Sequence, residues 1–140
     1  MSFSIGHVAE KSGCPPPTIR YYESIGLLPP AERSASGRRS YGAEDIGRLT
    51  FIRRARDFGL GIAEVREILE AANAPAGGCA AARPVVEEHL SAIRAKRAEL
   101  AALERALGTI LARCDESCQT GGAGPCAIFE TFRLPEEARP

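Results

Sequence analysis

Cysteine is the residue type in this 140-residue chain whose placement points most directly to chemistry. Five are present, at positions 14, 79, 114, 118 and 126. The opening stretch MSFSIGHVAEKSG lacks the basic and apolar regions of a signal peptide, so the expected location is the cytoplasm. Thiols stay reduced there, and the cysteines read as metal-binding or redox-sensing groups before they read as disulfides. Thiolates suit zinc, cadmium, mercury and lead. Cys79 stands just before a long helical pattern and Cys114 just after it. Cys114 and Cys126 bracket a glycine-rich segment that holds Cys118. The candidate metal ligands are therefore Cys79, Cys114, Cys118 and Cys126. Three sulfurs fit trigonal mercury or lead, and a fourth from Cys118 completes a tetrahedron for zinc or cadmium. Cys14 falls in a turn and reads as structural. His7 and His89 are left outside the site, and Asp115 and Glu116 are read as facing solvent.

Charge supplies the second candidate. The formal net charge is zero, but residues 33–56 carry seven arginines against Glu44 and Asp45. From Asn73 onward eight basic residues balance nine acidic ones. One short stretch is basic and the rest is neutral, as expected of a localised phosphate-contacting surface.

The elements that position these groups read as mainly α. Ser4 caps a helix over Ile5–Ser12, and Gly13 ends it. Pro15, Pro16 and Pro17 lead into a second helix from about Pro17 to Ile25, stopped by Gly26. Two short helices joined by a tight turn form a helix-turn-helix unit. Leu27–Pro30 is extended, 33–37 is a turn, and Arg38–Tyr41 returns as a strand, which makes a β-wing. Further helices are expected over Ala43–Phe58 and Ile62–Ala72. NAPAGG at 73–78 opens a linker to residue 83, and Pro84 starts a long helix to about Ala112. Its apolar residues, from Val86 to Leu111, alternate threes and fours, with Arg97 and Glu104 interrupting the seam. Such a helix measures on the order of 40 Å. It is too one-sided for the small N-terminal domain to cover, so a coiled coil with a second copy is the economical reading.

The second helix exposes Thr18, Arg20 and Tyr21 to a major groove. The wing adds Arg38, Arg39 and Tyr41, and Arg53 and Arg54, with Arg56, extend the positive surface. IGHVAEKSG at 5–13, TIRYYESIGLLPP at 18–30, RSASGRRSY at 33–41 and DIGRLTFIRRARDFGL at 45–60 closely resemble the mercury-resistance regulator (MerR) family, over about the first half of the chain. Two positions depart from the pattern. Arg38 stands where an aromatic often follows the wing glycine, and Gly61 where Ser or Thr often caps the fourth helix.

The resemblance implies a transcription regulator. It implies a homodimer joined by the long helix, bound to a palindromic operator in double-stranded promoter DNA. It also implies that effector binding bends and untwists an overlong promoter spacer so that RNA polymerase engages. In an antiparallel dimer, Cys79 of one copy meets Cys114 and Cys126 of the other. That arrangement resembles the family branch sensing divalent soft metals.

The expected organisation is a winged helix-turn-helix domain over 1–72, a linker over 73–83, a dimerisation helix over 84–113, an effector loop with a short helix over 114–132, and a disordered tail over 133–140. Copper(I) sensing, redox or iron–sulfur sensing, and a Cys114–Cys118 disulfide switch are the alternatives of the same class. No nucleophile–base pair, phosphate loop or paired carboxylate motif supports an enzyme. No apolar run reaches membrane-spanning length.

Overall fold

The computed structural model describes residues 1–119 and 126–133, without the side chains of 117–119. It divides into two units, Met1–His89 and Leu90–Pro140.

In the first unit, α1 (Ile5–Ser12) starts where the Ser4 hydroxyl accepts from the His7 N–H at 3.3 Å. It stops at Gly13, whose φ of 75° favours a residue without a side chain. A Cβ there would also lie 2.8 Å from Arg53 Nε. Pro16 and Pro17 occupy the first turn of α2 (Pro16–Ser24), where a missing N–H costs nothing. The wing pairs β1 (Glu32–Arg33) with β2 (Arg39–Ser40) in antiparallel register, Glu32 opposite Ser40 and Arg33 opposite Arg39. The first strand is thus two residues at 32–33, and Leu27 and Leu28 are buried instead. Phe3 continues the pairing on the far side, exchanging backbone hydrogen bonds of 2.8 and 2.9 Å with Tyr41.

α3 (Ala43–Asp57) and α4 (Ile62–Ala72) complete the domain. Both begin at glycine, and each has a carboxylate that reaches back. Asp45 accepts from the Gly42 N–H at 2.9 Å, and Glu64 accepts from the Gly61 N–H. The Gly61 departure therefore leaves one half of a capping box in place. Val8, Ile19, Leu27, Leu28, Leu49, Ile52 and Val65 are fully buried and form one core with Tyr22, Tyr41 and Leu60. Single deletions of such residues to alanine cost about 2–5 kcal/mol.

The long helix differs from expectation at both ends. α5 runs Gly78–Gln119, 42 residues, so it takes in half of the expected linker and places Cys114 inside the helix, not after it. Gly77 has a φ of 79°, and the bond from Ala81 N–H to the Gly77 carbonyl (3.2 Å) opens the helix. The run Cys79–Ala82 contains three alanines, the best helix former, which lets the helix start before Pro84. Pro84 then sits within it and leaves one carbonyl without its N–H partner. Between residues 85 and 119 Gly108 is the one glycine and there is no proline, so no strong breaker stops the helix at 113.

Val86, Ile93, Leu100 and Leu107 recur every seven residues along α5 and are all about half exposed. α6 (Ala127–Arg133) belongs to the second unit and exposes Phe129 and Phe132. No helix among the described residues is long and apolar enough to cross a membrane.

Candidate nucleic-acid interface and metal centre

Helical periodicity sorts α2 into two faces. Ile19 and Tyr22 are buried, whereas Arg20 is exposed and Tyr21 is 53% exposed. Thr18 is half-buried and lines a shallow cleft of about 340 Å³ with Pro17, Tyr21, Tyr22, Arg56 and Ile62. Thr18, Arg20 and Tyr21 thus present hydroxyls and one guanidinium on the outer side of the second helix of the pair. That helix in such a unit is the one that enters a major groove.

The arginines divide by what already holds them. Arg38 on the wing and Arg54 on α3 are exposed. Arg33 donates to the Gly37 carbonyl at 2.9 Å, within the wing turn. Arg48 donates to the Leu27 carbonyl (2.7 Å), Arg56 to Leu60 (2.8 Å) and Arg66 to Ile25 (2.7 Å). Arg66 thus ties α4 to the C-cap carbonyl of α2, one that a helix end leaves unpaired, whereas Arg48 and Arg56 hold loop carbonyls. Arg53 donates through Nε to the Ser12 carbonyl at 2.8 Å and pairs with Asp57 at 3.3 Å. It is therefore a brace between α3 and the end of α1 as well as a candidate DNA contact.

Tyr41 departs from expectation. Its side chain is 2% exposed, and its hydroxyl donates to Glu23 Oε1. Burial, the hydrogen bond to Glu23 and that residue's charge push the phenol well above its ordinary pKa, with Arg39 and Arg20 opposing. Tyr41 is a core residue and leaves the DNA-contact set. Arg39 Nε is 3.3 Å from Glu23 Oε2, so Arg39 is held against α2. Sequence reading missed Glu23. The available signal was its position three residues after Arg20, on the same side of the helix.

Cys14 is buried with its thiol 3.7 Å from the Leu49 carbonyl, and burial raises its pKa. It packs, as the turn position suggested. His7 stacks on Phe3 with ring centroids 4.7 Å apart. His89 lies on α5 with Nε2 2.9 Å from the Phe58 carbonyl, over Gly59. That contact joins α5 to the end of α3 and has no counterpart in the sequence reading.

Of the four candidate ligands, Cys79 is exposed in the first turn of α5, within the first unit. Cys114 and Cys126 belong to the second unit, and the structure brings their thiols into hydrogen-bonding contact. Cys126 lies just before α6, where the N–H groups of Phe129 and Ile128 pull its thiol below its ordinary pKa, helped by Cys114. A thiol so placed ionises more readily, and the thiolate is the form that binds a soft metal. Two adjacent sulfurs are a donor set that fits such an ion. The side chain of Cys118 lies outside the described residues, as does most of the expected tail. Among the described residues of one chain no group of three His, Cys, Asp or Glu side chains is placed to hold a metal.

Comparison with known proteins follows these two faces. Residues 3–72 match the model of the MerR HTH family regulatory protein, and residues 46–110 match a second model described as MerR, DNA binding. The chain is 40% identical over 127 residues to an uncharacterized HTH-type transcriptional regulator of Pseudomonas aeruginosa, covering 91% of this chain and 93% of that protein. It is 33% identical over 132 residues to the mercuric resistance operon regulatory protein of Bacillus cereus, covering 94% and 98%. Among solved structures it is similar to the transcription regulator PbrR691 from Ralstonia metallidurans CH34 in complex with lead(II). That match has a TM-score of 0.78 and 34% identity and covers 93% of this chain and 98% of the other.

Proposed function

The chain belongs to the MerR family of helix-turn-helix regulatory proteins, and from that premise we propose that it is a cytoplasmic, metal-responsive activator of transcription. In this reading it is a homodimer on a palindromic promoter operator. Distortion of the DNA in the metal-bound state lets RNA polymerase engage. The family is one of DNA-binding regulators and not of enzymes.

The observation that carries the metal reading is the contact between Cys114 and Cys126, twelve residues apart in sequence and adjacent in space. Cys79 of the other copy is the third ligand in the proposal, and Cys118 is available as a fourth. A bound thiophilic divalent ion (zinc, cadmium, mercury or lead) supplies a cross-link between thiolates of two copies. The lead(II) complex of one relative and the name of the mercuric regulator support this class of effector. The protein's own residues do the rest. Thr18, Arg20, Tyr21, Arg38 and Arg54 contact DNA, with Arg53 partly committed to Ser12. The half-exposed heptad residues of α5 join the two copies.

The test is a metal-competition titration of the purified protein, read by the thiolate-to-metal absorption band, with footprinting of promoter DNA in parallel. The proposal expects tight binding of one of the four divalent ions, loss of that binding in Cys79→Ser, and a footprint that changes with the ion. A second reading rests on the same sulfur pair. Two thiolates alone suit copper(I), and a Cys79→Ser protein that binds every ion like the wild type favours it.

A further inference from the structure

Glu23 stands where two DNA-facing elements of the first unit meet. It follows Arg20 by three residues on α2, and its side chain is 12% exposed. Oε2 takes Arg39 Nε from β2 at 3.3 Å, and Oε1 accepts from the Tyr41 hydroxyl. Both carboxylate oxygens are thus engaged by the wing strand and its continuation. Arg20 and Arg39 are the cations close enough to act on the same phenol. The carboxylate therefore lies among groups of which two, Arg20 and Arg39, carry the charge that phosphates attract.

A negative charge at the edge of a DNA-binding surface repels the backbone it faces. Its presence needs a compensating role. The arginines braced on carbonyls keep their full positive charge, and Arg53 pairs with Asp57 on its own helix, an exposed pair that salt screens. Arg39 is different. Its partner comes from another element, is mostly buried, and is fixed from its other oxygen by a buried tyrosine.

We infer that Glu23 is a specificity-determining residue of the DNA interface: it holds the Arg39 guanidinium against α2 and off the phosphate backbone, and so suppresses sequence-independent binding. The inference rests on the DNA-binding reading above. Phosphate contacts give affinity for any duplex, whereas contacts to base edges discriminate. Removing one freely available guanidinium lowers the first without touching the second. The pairing also fixes the wing strand to α2, which sets where Arg38 meets the backbone relative to Arg20.

The experiment uses the full-length protein and two duplexes. One is selected by the wild type from a random pool, and the other has the same bases in shuffled order. Glu23→Gln keeps the shape and an acceptor oxygen for Tyr41 but cannot hold the ion pair. E23Q is expected to bind the shuffled duplex several-fold tighter than the wild type. Its log–log salt slope on that duplex should steepen by about 0.9, one additional counterion released. Affinity for the selected duplex gains less, because base-edge contacts fix the protein's register there and restrict the freed guanidinium's choice of phosphate, so the ratio between the two narrows. The double variant E23Q/R39Q should bring the slope back to the wild-type value.

An E23Q protein with wild-type slope and wild-type discrimination overturns the inference. Thermal melting checks that E23Q is folded, and if it is not, Arg39→Gln alone decides. A slope shallower by about 0.9 would mean that Arg39 already sits on a phosphate, which also overturns the inference. An unchanged slope supports it. A wild-type protein that selects no duplex refutes the DNA-binding reading and this inference with it. That result is distinct from a wild type that discriminates and a variant that does so equally well.

Discussion

Replacing Leu100 and Leu107 by Glu in the same chain tests the use of α5 as the joint between two copies. The two side chains are seven residues apart and are 58% and 53% exposed in the single chain. Full burial of a leucine stabilises by about 1.5–3 kcal/mol, so about half of that, roughly 1 kcal/mol, is still available to a partner at each position. A dimer buries four such side chains, and their loss removes about 4 kcal/mol before any cost of burying carboxylates is added. At about 1.4 kcal/mol per factor of ten, the dimer dissociation constant rises by about three orders of magnitude. Glutamate is a good helix former, so far-ultraviolet circular dichroism should change little. Sedimentation equilibrium at micromolar concentration reads the result directly. A variant that stays dimeric would show that the heptad face is not the interface. A variant that is monomeric but unfolded would show instead that the face supports its own chain.

Three further outcomes follow from the same geometry. Arg53→Ala should lower stability by about 1 kcal/mol, because the Ser12 carbonyl loses its charged donor and the site is partly exposed, whereas Arg54→Ala should leave urea midpoints unchanged and make the salt slope of DNA binding shallower by about 0.9. Equal effects of the two on stability would refute the division between brace and contact. Cys14, Tyr22 and Tyr41 hold their protons above the ordinary values because they are buried, so above about pH 9 the unfolded chain loses protons that the folded chain keeps, and stability falls as pH rises. The urea midpoint should decline with pH in that range, Cys14→Ala should delay the onset to the tyrosine range, and a flat midpoint would contradict the burial argument. Mixing Cys79→Ser chains with Cys114→Ser chains should give heterodimers with one complete metal site where neither homodimer has any, and mass spectrometry that finds no metal in the mixture would exclude ligands shared between copies.

The N-terminal elements were legible because each carries local punctuation. Ser4, Gly13, the three prolines, Gly26 and Gly59 mark ends through backbone geometry alone, and their helices fall within one or two residues of the reading. The long helix is less legible at its two ends. Pro84 reads as a helix start because proline is tolerated in a first turn, but the three alanines before it favour helix enough to begin it earlier, at Gly78. Cys114 falls inside the helix because no glycine or proline between Gly108 and Gln119 breaks it. In sequence Tyr41 reads as a wing contact because a hydroxyl beside arginines suits a phosphate. Its burial depends on Phe3 and Glu23, which lie 38 and 18 residues away and carry no pattern pointing at it.

Charge counting met a related limit, and its physical basis bears on how the interface works. The surplus over residues 33–56 correctly locates the basic face, since all seven arginines lie on the wing or on α3. Sequence gives each the same weight. In the folded domain Arg33, Arg48, Arg53 and Arg56 each donate to a carbonyl, and Arg39 is held by Glu23. Hydrogen bonding to a carbonyl leaves the positive charge in place, so these side chains still raise the potential that draws DNA in. What they lose is freedom to follow a phosphate. Arg38 and Arg54 keep that freedom and pay the ordering entropy on binding. The domain thus combines a rigid positive field with a few adjustable contacts. Among the wing and α3 arginines, Arg39 alone has its charge largely offset by a buried partner on another element, and the salt slope of E23Q measures that difference.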